Sequence, residues 1–222
     1  MRSNYAPFIA RMINKYEGGY GWDPADTGGP TKYGITCYDL AANRGQRMDS
    51  MARWAPIVKA MQLSEAEDIY KKKYATATFF DALPSGVDCV MLDYGVNSGP
   101  SRPLAVARTL LKVSKNSEIV AAVKKVDPKW FINAMCDERL HFMKAIRGGT
   151  AWAKWGRGWA ARVADLRAYC LARVDGRRTD PAIDLSTTTT PKAINPVPSV
   201  TKTVTVGTGS ATPPAAAAKA AG

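Results

Sequence analysis

The chain has 222 residues, 46% hydrophobic and 23% charged, which suits one globular domain or a domain with a tail. Its 31 Lys and Arg against 19 Asp and Glu give a net charge of +12, and so basic a chain points to a polyanionic partner: nucleic acid, an anionic membrane or an acidic cell-wall polymer. No apolar run is long enough to cross a bilayer. Nor does Met1-Arg2-Ser3-Asn4 lead into the apolar stretch of a secretory leader, so a chain folded in the cytosol is expected.

Phe8, Ile9, Met12, Ile13 and Tyr16 recur on one face of an amphipathic first helix. Residues 20–36, rich in Gly, Asp, Pro and Thr, suit a loop and a short hairpin. Thr36 with Asp39, and Ser64 with Glu67, read as N-cap and N3 pairs opening two further helices. A helix is expected over Val87–Val96, and another from Asp127-Pro128, a cap with Pro at the first helical position, to Gly148-Gly149. The last is expected over about Trp159–Arg173, stopping near Gly176.

Beyond Arg178 the composition changes. Thr179–Gly222 holds 10 Thr, 6 Pro and 9 Ala and no aromatic residue. Such a segment buries too little apolar surface to offset its ordering entropy, so residues 179–222 are expected to be a disordered tail. Residues 1–178 carry 28 basic and 17 acidic residues, +11, so the charge belongs to the folded part.

Cys37, Cys89, Cys136 and Cys170 are too widely spaced for a CxxC pair, and His141 is the single histidine. That argues against a zinc site, and no metal or cofactor is expected. The cysteines read as reduced, buried thiols. His141 reads as a helix-surface or core histidine, because no nucleophile motif accompanies it.

Tyr16 to Thr36, YEGGYGWDPADTGGPTKYGIT, carries the chemistry. Glu17 follows Ile9 and Ile13 at i+8 and i+4 and so continues the apolar stripe, an odd place for a carboxylate that is only structural. Partial desolvation there raises a carboxyl's pKa and keeps it protonated, as a general acid requires. Gly18 and Gly19 let the chain turn and a ligand approach the backbone. Tyr20, Trp22 and Tyr33 offer the aromatic faces that sugar rings pack on. Glycoside hydrolysis needs a second group besides the proton donor, and Asp26 or Asp23 is the candidate, although both also read as turn residues. Thr31 or Thr36 is placed to hold a water.

Glu17-Gly18-Gly19-Tyr20, the Asp-Pro and Gly-Gly punctuation, Tyr33-Gly34-Ile35-Thr36, Asp93-Tyr94-Gly95-Val96-Asn97-Ser98-Gly99, Trp155-Gly156-Arg157-Gly158-Trp159 and Arg162-Val163 together resemble the glycoside hydrolase family 108 N-acetylmuramidases of phage endolysins and bacterial muramidases. The resemblance implies a mainly α (α+β), lysozyme-like fold. It also implies Glu17 as the essential carboxylate, a catalytic region over residues 1–86, and a peptidoglycan-binding region over 87–178 packed on it as one body. A more distant likeness, to phage lysozymes with a Glu, Asp and Thr triad, matches Glu17, Asp26 and Thr31 in order. One residue fewer separates Asp26 from Thr31 than in that pattern, which keeps Thr36 in play.

Asn97 reads either as a contact to a sugar N-acetyl group or as a helix C-cap. Trp152, Trp155 and Trp159 read as core, with a sugar platform as the alternative. Lys71-Lys72-Lys73, Lys124-Lys125 and Arg177-Arg178 read as solvated faces. The leading expectation is a monomeric endolysin that cleaves the β-1,4 bond between N-acetylmuramic acid and N-acetylglucosamine, drawn by its charge to the anionic envelope. The competing readings are a lytic transglycosylase and a non-catalytic wall- or nucleic-acid-binding protein. No zinc finger, RRM signature or basic heptad supports nucleic acid.

Overall fold

The apolar stripe of the first helix is buried as its spacing requires: Phe8, Ile9, Met12 and Ile13 are at most 3% exposed. The structure, a computed structural model, describes residues 4–23 and 28–177, except the side chains of Tyr16, Glu17 and Arg147. Asp26 and the tail 179–222 lie outside the described residues.

Helix α1 (Tyr5–Met12) continues as a π-turn over Ile13–Glu17. An antiparallel hairpin follows, β1 (Thr31–Lys32) and β2 (Ile35–Thr36). Then come α2 (Cys37–Asn43), α3 (Met51–Ala60) and α4 (Leu63–Tyr70), which leads into a second π-turn over Lys71–Ala75. After a 3-10 turn (Phe80–Ala82), α5 (Val87–Ser98), α6 (Ser101–Leu111), α7 (Asn116–Val123) and α8 (Pro128–Ala145) follow. A 3-10 turn over Ile146–Gly149 connects α8 to α9 (Thr150–Val174). The class is the expected one, mainly α and lysozyme-like with a short hairpin.

Local chemistry sets several helix starts. The Thr36 hydroxyl accepts from the Asp39 N–H at 3.2 Å, and Asp127 accepts from the Lys129 N–H at 2.9 Å with Pro128 behind it. Ser64 is not a cap. The cap position of α4 is Gln62, with no side-chain cap bond, and Ser64 is the second helical residue. Only Met61, 1% exposed, and the extended Gln62 (φ −82°, ψ 153°) separate α3 from α4, so α4 must start sooner than the Ser-Glu spacing suggests. Helix α3 contains Pro56, whose missing N–H argues against a helix in sequence.

Helix α9 starts nine residues before the expected Trp159. Gly156 and Gly158 both lie inside it. Gly156 is buried, and a Cβ there would sit 2.6 Å from the Trp152 ring. That ring packing offsets the roughly 1 kcal/mol that glycine costs a helix.

Every residue from Val87 to Gly95 is buried, the two aspartates Asp88 and Asp93 included, so α5 is enclosed on all sides and forms the central element. Helices α6, α8 and α9 pack on it. Helix α1 ties α4 and the turn at Phe80 to α9. The Tyr5 hydroxyl donates to the Glu67 carbonyl at 2.7 Å, its ring meets Phe80 edge-on at 5.5 Å, and Phe8 lies 5.6 Å from Tyr169. One buried cluster runs from Tyr5 to Cys170. All four cysteines are buried and free. Burial pushes the Cys89 and Cys170 thiols well up, Cys136 to about 11, and Cys37 up, so they pack as neutral groups. His141 is exposed on α8.

Candidate active site

The π-turn changes the end of the first helix. Its hydrogen bonds span one residue more than those of an α-helix, so the i+4 arithmetic that sets Glu17 below Ile13 does not carry through the last turn. Gly18 follows with φ 51° and ψ −175°, a conformation open to glycine and strained for other residues. No neighbour lies within 4 Å of where a Cβ would stand, so backbone geometry, not crowding, calls for glycine here.

Three residues further on, the chain joins the hairpin. Gly21 and Thr31 exchange two backbone hydrogen bonds of 2.9 Å, forming an antiparallel bridge on the side of β1 away from β2. Thr31 pairs in turn with Thr36. The two candidate threonines are thus cross-strand neighbours within one bridge of the segment leaving Glu17. Thr31 donates its hydroxyl to the Gly29 carbonyl at 3.2 Å, and the Thr36 hydroxyl oxygen accepts at the α2 cap.

Tyr33 and Gly34 connect the strands with φ 54° and 75°, the two positive φ values of a type I′ turn. Tyrosine is a poor choice for the first position. The Tyr70 hydroxyl donates to the Tyr33 carbonyl at 2.8 Å and holds it there, so Tyr33 has a structural task. Tyr20 is half-buried, Trp22 is 36% exposed and Asp23 is exposed. Two lysines that the motif does not signal join the aromatic residues. Lys32 Nζ sits 4.9 Å from the Tyr33 ring and donates to the Lys59 and Met61 carbonyls at 2.8 Å, closing α3. Lys59 Nζ lies 5.9 Å from the Tyr20 ring.

Asn97 is not a C-cap. Helix α5 runs two residues past the expected Val96, to Ser98, and Gly99 (φ 78°) takes the cap position. The Asn97 amide donates to the Asp93 carbonyl at 3.3 Å, one turn back. The Asp93 carboxylate, 1% exposed, accepts from Arg139 Nη1 at 2.6 Å and from Arg162 Nη2 at 3.0 Å. Burial alone would raise the Asp93 pKa, but the two guanidiniums bring it below its ordinary value. Arg139 is completely buried. The sequence held a signal for it: Ile132, Met135, Cys136, Arg139 and Met143 form one helical stripe, and a cation on an apolar stripe needs a buried anion.

Of the tryptophans, Trp159 is core at 3% exposure, and half-buried Trp152 packs against it at 6.3 Å. Trp155 is half-buried, with Lys154 Nζ 4.8 Å from its ring.

A helix-borne glutamate delivered by a glycine turn to a small hairpin, on a helical body, is the layout of a lysozyme-like glycoside hydrolase. The chain belongs to the glycosyl hydrolase 108 family, whose model matches residues 10–99, from within α1 to the end of α5. Eight chains of solved structures match it. One, described as "Structure of Brucella abortus SagA", is 31% identical with a TM-score of 0.68, and the match covers 78% of this chain and 97% of that one. No curated protein matches. The protein is a glycoside hydrolase of the peptidoglycan-degrading kind.

Proposed function

We propose that the protein is an N-acetylmuramidase that cleaves the β-1,4 bond between N-acetylmuramic acid and N-acetylglucosamine, with Glu17 as the general acid. The observation that carries this reading is the placement of Glu17. It closes a π-turn, a helix irregularity frequent at functional sites, within the family-matched residues and one short step from the hairpin. Glu17 protonates the leaving oxygen as the ring develops oxocarbenium character. Asp26, with Asp23 as the alternative, and a water held by Thr31 or Thr36 act on the opposite face. Tyr20, Trp22, Tyr33 and Asn97 are the proposed sugar contacts. Residues 1–86 are the proposed catalytic region and 87–178 the wall-binding region, in a monomer. Phage-driven host lysis is the proposed setting, with the enzyme reaching the wall from the host cytoplasm.

The test is digestion of purified peptidoglycan by wild type and Glu17→Gln, with mass spectrometry of the fragment ends. Reducing N-acetylmuramic acid ends from wild type alone, with a folded variant, are the expected result. Anhydro ends would instead mean a lytic transglycosylase. Equal activity of a folded Glu17→Gln would overturn the assignment.

A further inference from the structure

Arg102 is the second residue of α6, just past the Gly99 turn that ends α5. Its backbone N–H donates to the Gly99 carbonyl at 3.2 Å. Its guanidinium carbon stands 3.6 Å from the centre of the Phe142 ring on α8, a distance at which the planar group lies over the ring face. The same side chain acts on the Tyr94 hydroxyl of α5, whose pKa burial raises and the Arg102 and Arg139 guanidiniums pull back. Arg102 is therefore held between α5 and α8 although it is exposed.

Other arginines answer an acid: Arg139 is paired with Asp93, Arg11 with Asp165 and Arg44 with Glu65. Arg102 forms no ion pair among the described residues. Glu138, one turn before Phe142 on α8, is felt by Tyr94, yet it is exposed and forms no ion pair with Arg102 either. Stacking occupies the face of the guanidinium and leaves its N–H fork in the plane, the geometry that grips a carboxylate with two hydrogen bonds. Nearby, one turn beyond Tyr94, Ser98 Oγ is buried without a hydrogen-bond partner among the described residues. The first turn of α6 has no acidic residue, and no neighbouring described atom lies within 4 Å of where a Cβ would stand on Gly99. An unused hydroxyl, an uncompensated positive helix end and an open turn all suit an arriving anion.

Which anion arrives follows from the substrate. In a wall glycan the N-acetylglucosamine units are neutral. Charge enters on the muramic units, whose lactyl arm ends in a carboxylate or carries a peptide that does. Asn97, a proposed sugar contact, lies two residues before the Gly99 turn. We propose that Arg102, stacked on Phe142, is a specificity-determining residue that takes the carboxylate on the arm of N-acetylmuramic acid and so selects muramic glycan over neutral amino-sugar polymers. This rests on the muramidase reading and on Asn97 as a sugar contact.

The experiment measures KM and kcat of the full chain as wild type, Arg102→Met and Arg102→Lys, with an unfolding midpoint for each. Two substrates are used: purified peptidoglycan, and strands freed of their peptides by an amidase, which leaves the lactyl carboxylate. Each is compared with itself after carbodiimide and ammonia have turned its carboxylates into neutral amides. Amidation should raise the wild-type KM about tenfold with kcat little changed. Arg102→Met should show that raised KM before and after amidation, and Arg102→Lys, charged but without the fork, should lie between. An effect on the freed strands assigns the lactyl carboxylate, and one confined to peptidoglycan assigns a carboxylate of the attached peptide. A wild-type KM indifferent to amidation of both substrates overturns the proposal without any variant. So does an Arg102→Met that loses equally on charged and amidated forms, or that lowers kcat and the unfolding midpoint together, as a merely structural arginine would. A folded wild type that cleaves none of the four substrates would remove the muramidase reading and this inference with it, whereas cleavage indifferent to the carboxylate removes only this inference.

Discussion

Asp88 and Asp93 sit five residues apart on α5, both buried, and they titrate in opposite directions. Burial raises the Asp88 pKa despite hydrogen bonds from Asn4 and from the Gly86 and Cys89 N–H groups. In Asp93, Arg162 and Arg139 overcome the burial penalty and the pKa falls. A depressed carboxyl pKa contributes stability that is present above the unfolded value, about 3.9, and is lost as pH drops through the folded value. A raised one favours the folded state at low pH and loses that contribution as pH rises through the folded value. Urea midpoints measured across pH should therefore give Asp93→Asn a flatter acid limb than wild type. At neutral pH the same variant should lose about 3 kcal/mol, because two guanidiniums would lose their carboxylate. Asp88→Asn should remove a dependence of the opposite sign, and parallel acid limbs in all three proteins would contradict these assignments.

At the scale of elements, close approach of α5 to α9 depends on Gly86. It precedes α5 with φ 85°, and a Cβ there would stand 2.4 Å from the Cys170 carbonyl oxygen. Gly86→Ala should therefore cost about 2–4 kcal/mol, from left-handed backbone strain and overpacking together, read from chemical denaturation. An unchanged midpoint would mean that α9 can move aside. Capping chemistry explains which elements are legible in sequence. Thr36 and Asp127 satisfy backbone donors within a few residues, so α2 and α8 can be read locally. Gly156, by contrast, is helical because Trp152 covers it, and the Tyr33 turn is held by Tyr70, 37 residues away. The π-turn at Glu17 likewise leaves no mark in the apolar spacing.

Across the whole molecule, the buried cluster of the described residues runs from Tyr5 to Cys170. Removing residues 179–222 should leave cleavage of purified peptidoglycan nearly intact; a large loss of rate would give the tail a part in catalysis or wall contact. The body keeps the charge of +11, and local pairing consumes little of its effect at a distance. Lys72 and Lys73 pair with Asp68 and Asp39 at 2.5 Å, but such partly exposed pairs contribute at most about 1 kcal/mol. Attraction to an anionic wall acts over the Debye length, about 8 Å at physiological salt and 3 Å at 1 M. Raising salt should thus slow lysis of intact walls several-fold and barely change turnover of a short soluble glycan. Equal slowing of both would place the salt effect in the catalytic step.

Charge, the apolar stripe of α1, the Thr36 and Asp127 caps and the motif around Glu17 were all legible in the sequence alone. Each depends on side-chain chemistry within a few residues, and the family model matches the segment containing that motif. Tertiary structure alone decided that Ser64 is no cap, that α9 runs through its glycines and that Thr31 stands opposite Thr36. It alone brought Arg139 and Arg162 to one buried aspartate. The physical reason is distance along the chain. A cap or an apolar stripe satisfies its groups locally, whereas a buried charge, a covered glycine or a strained turn is stabilised by partners that only folding brings near.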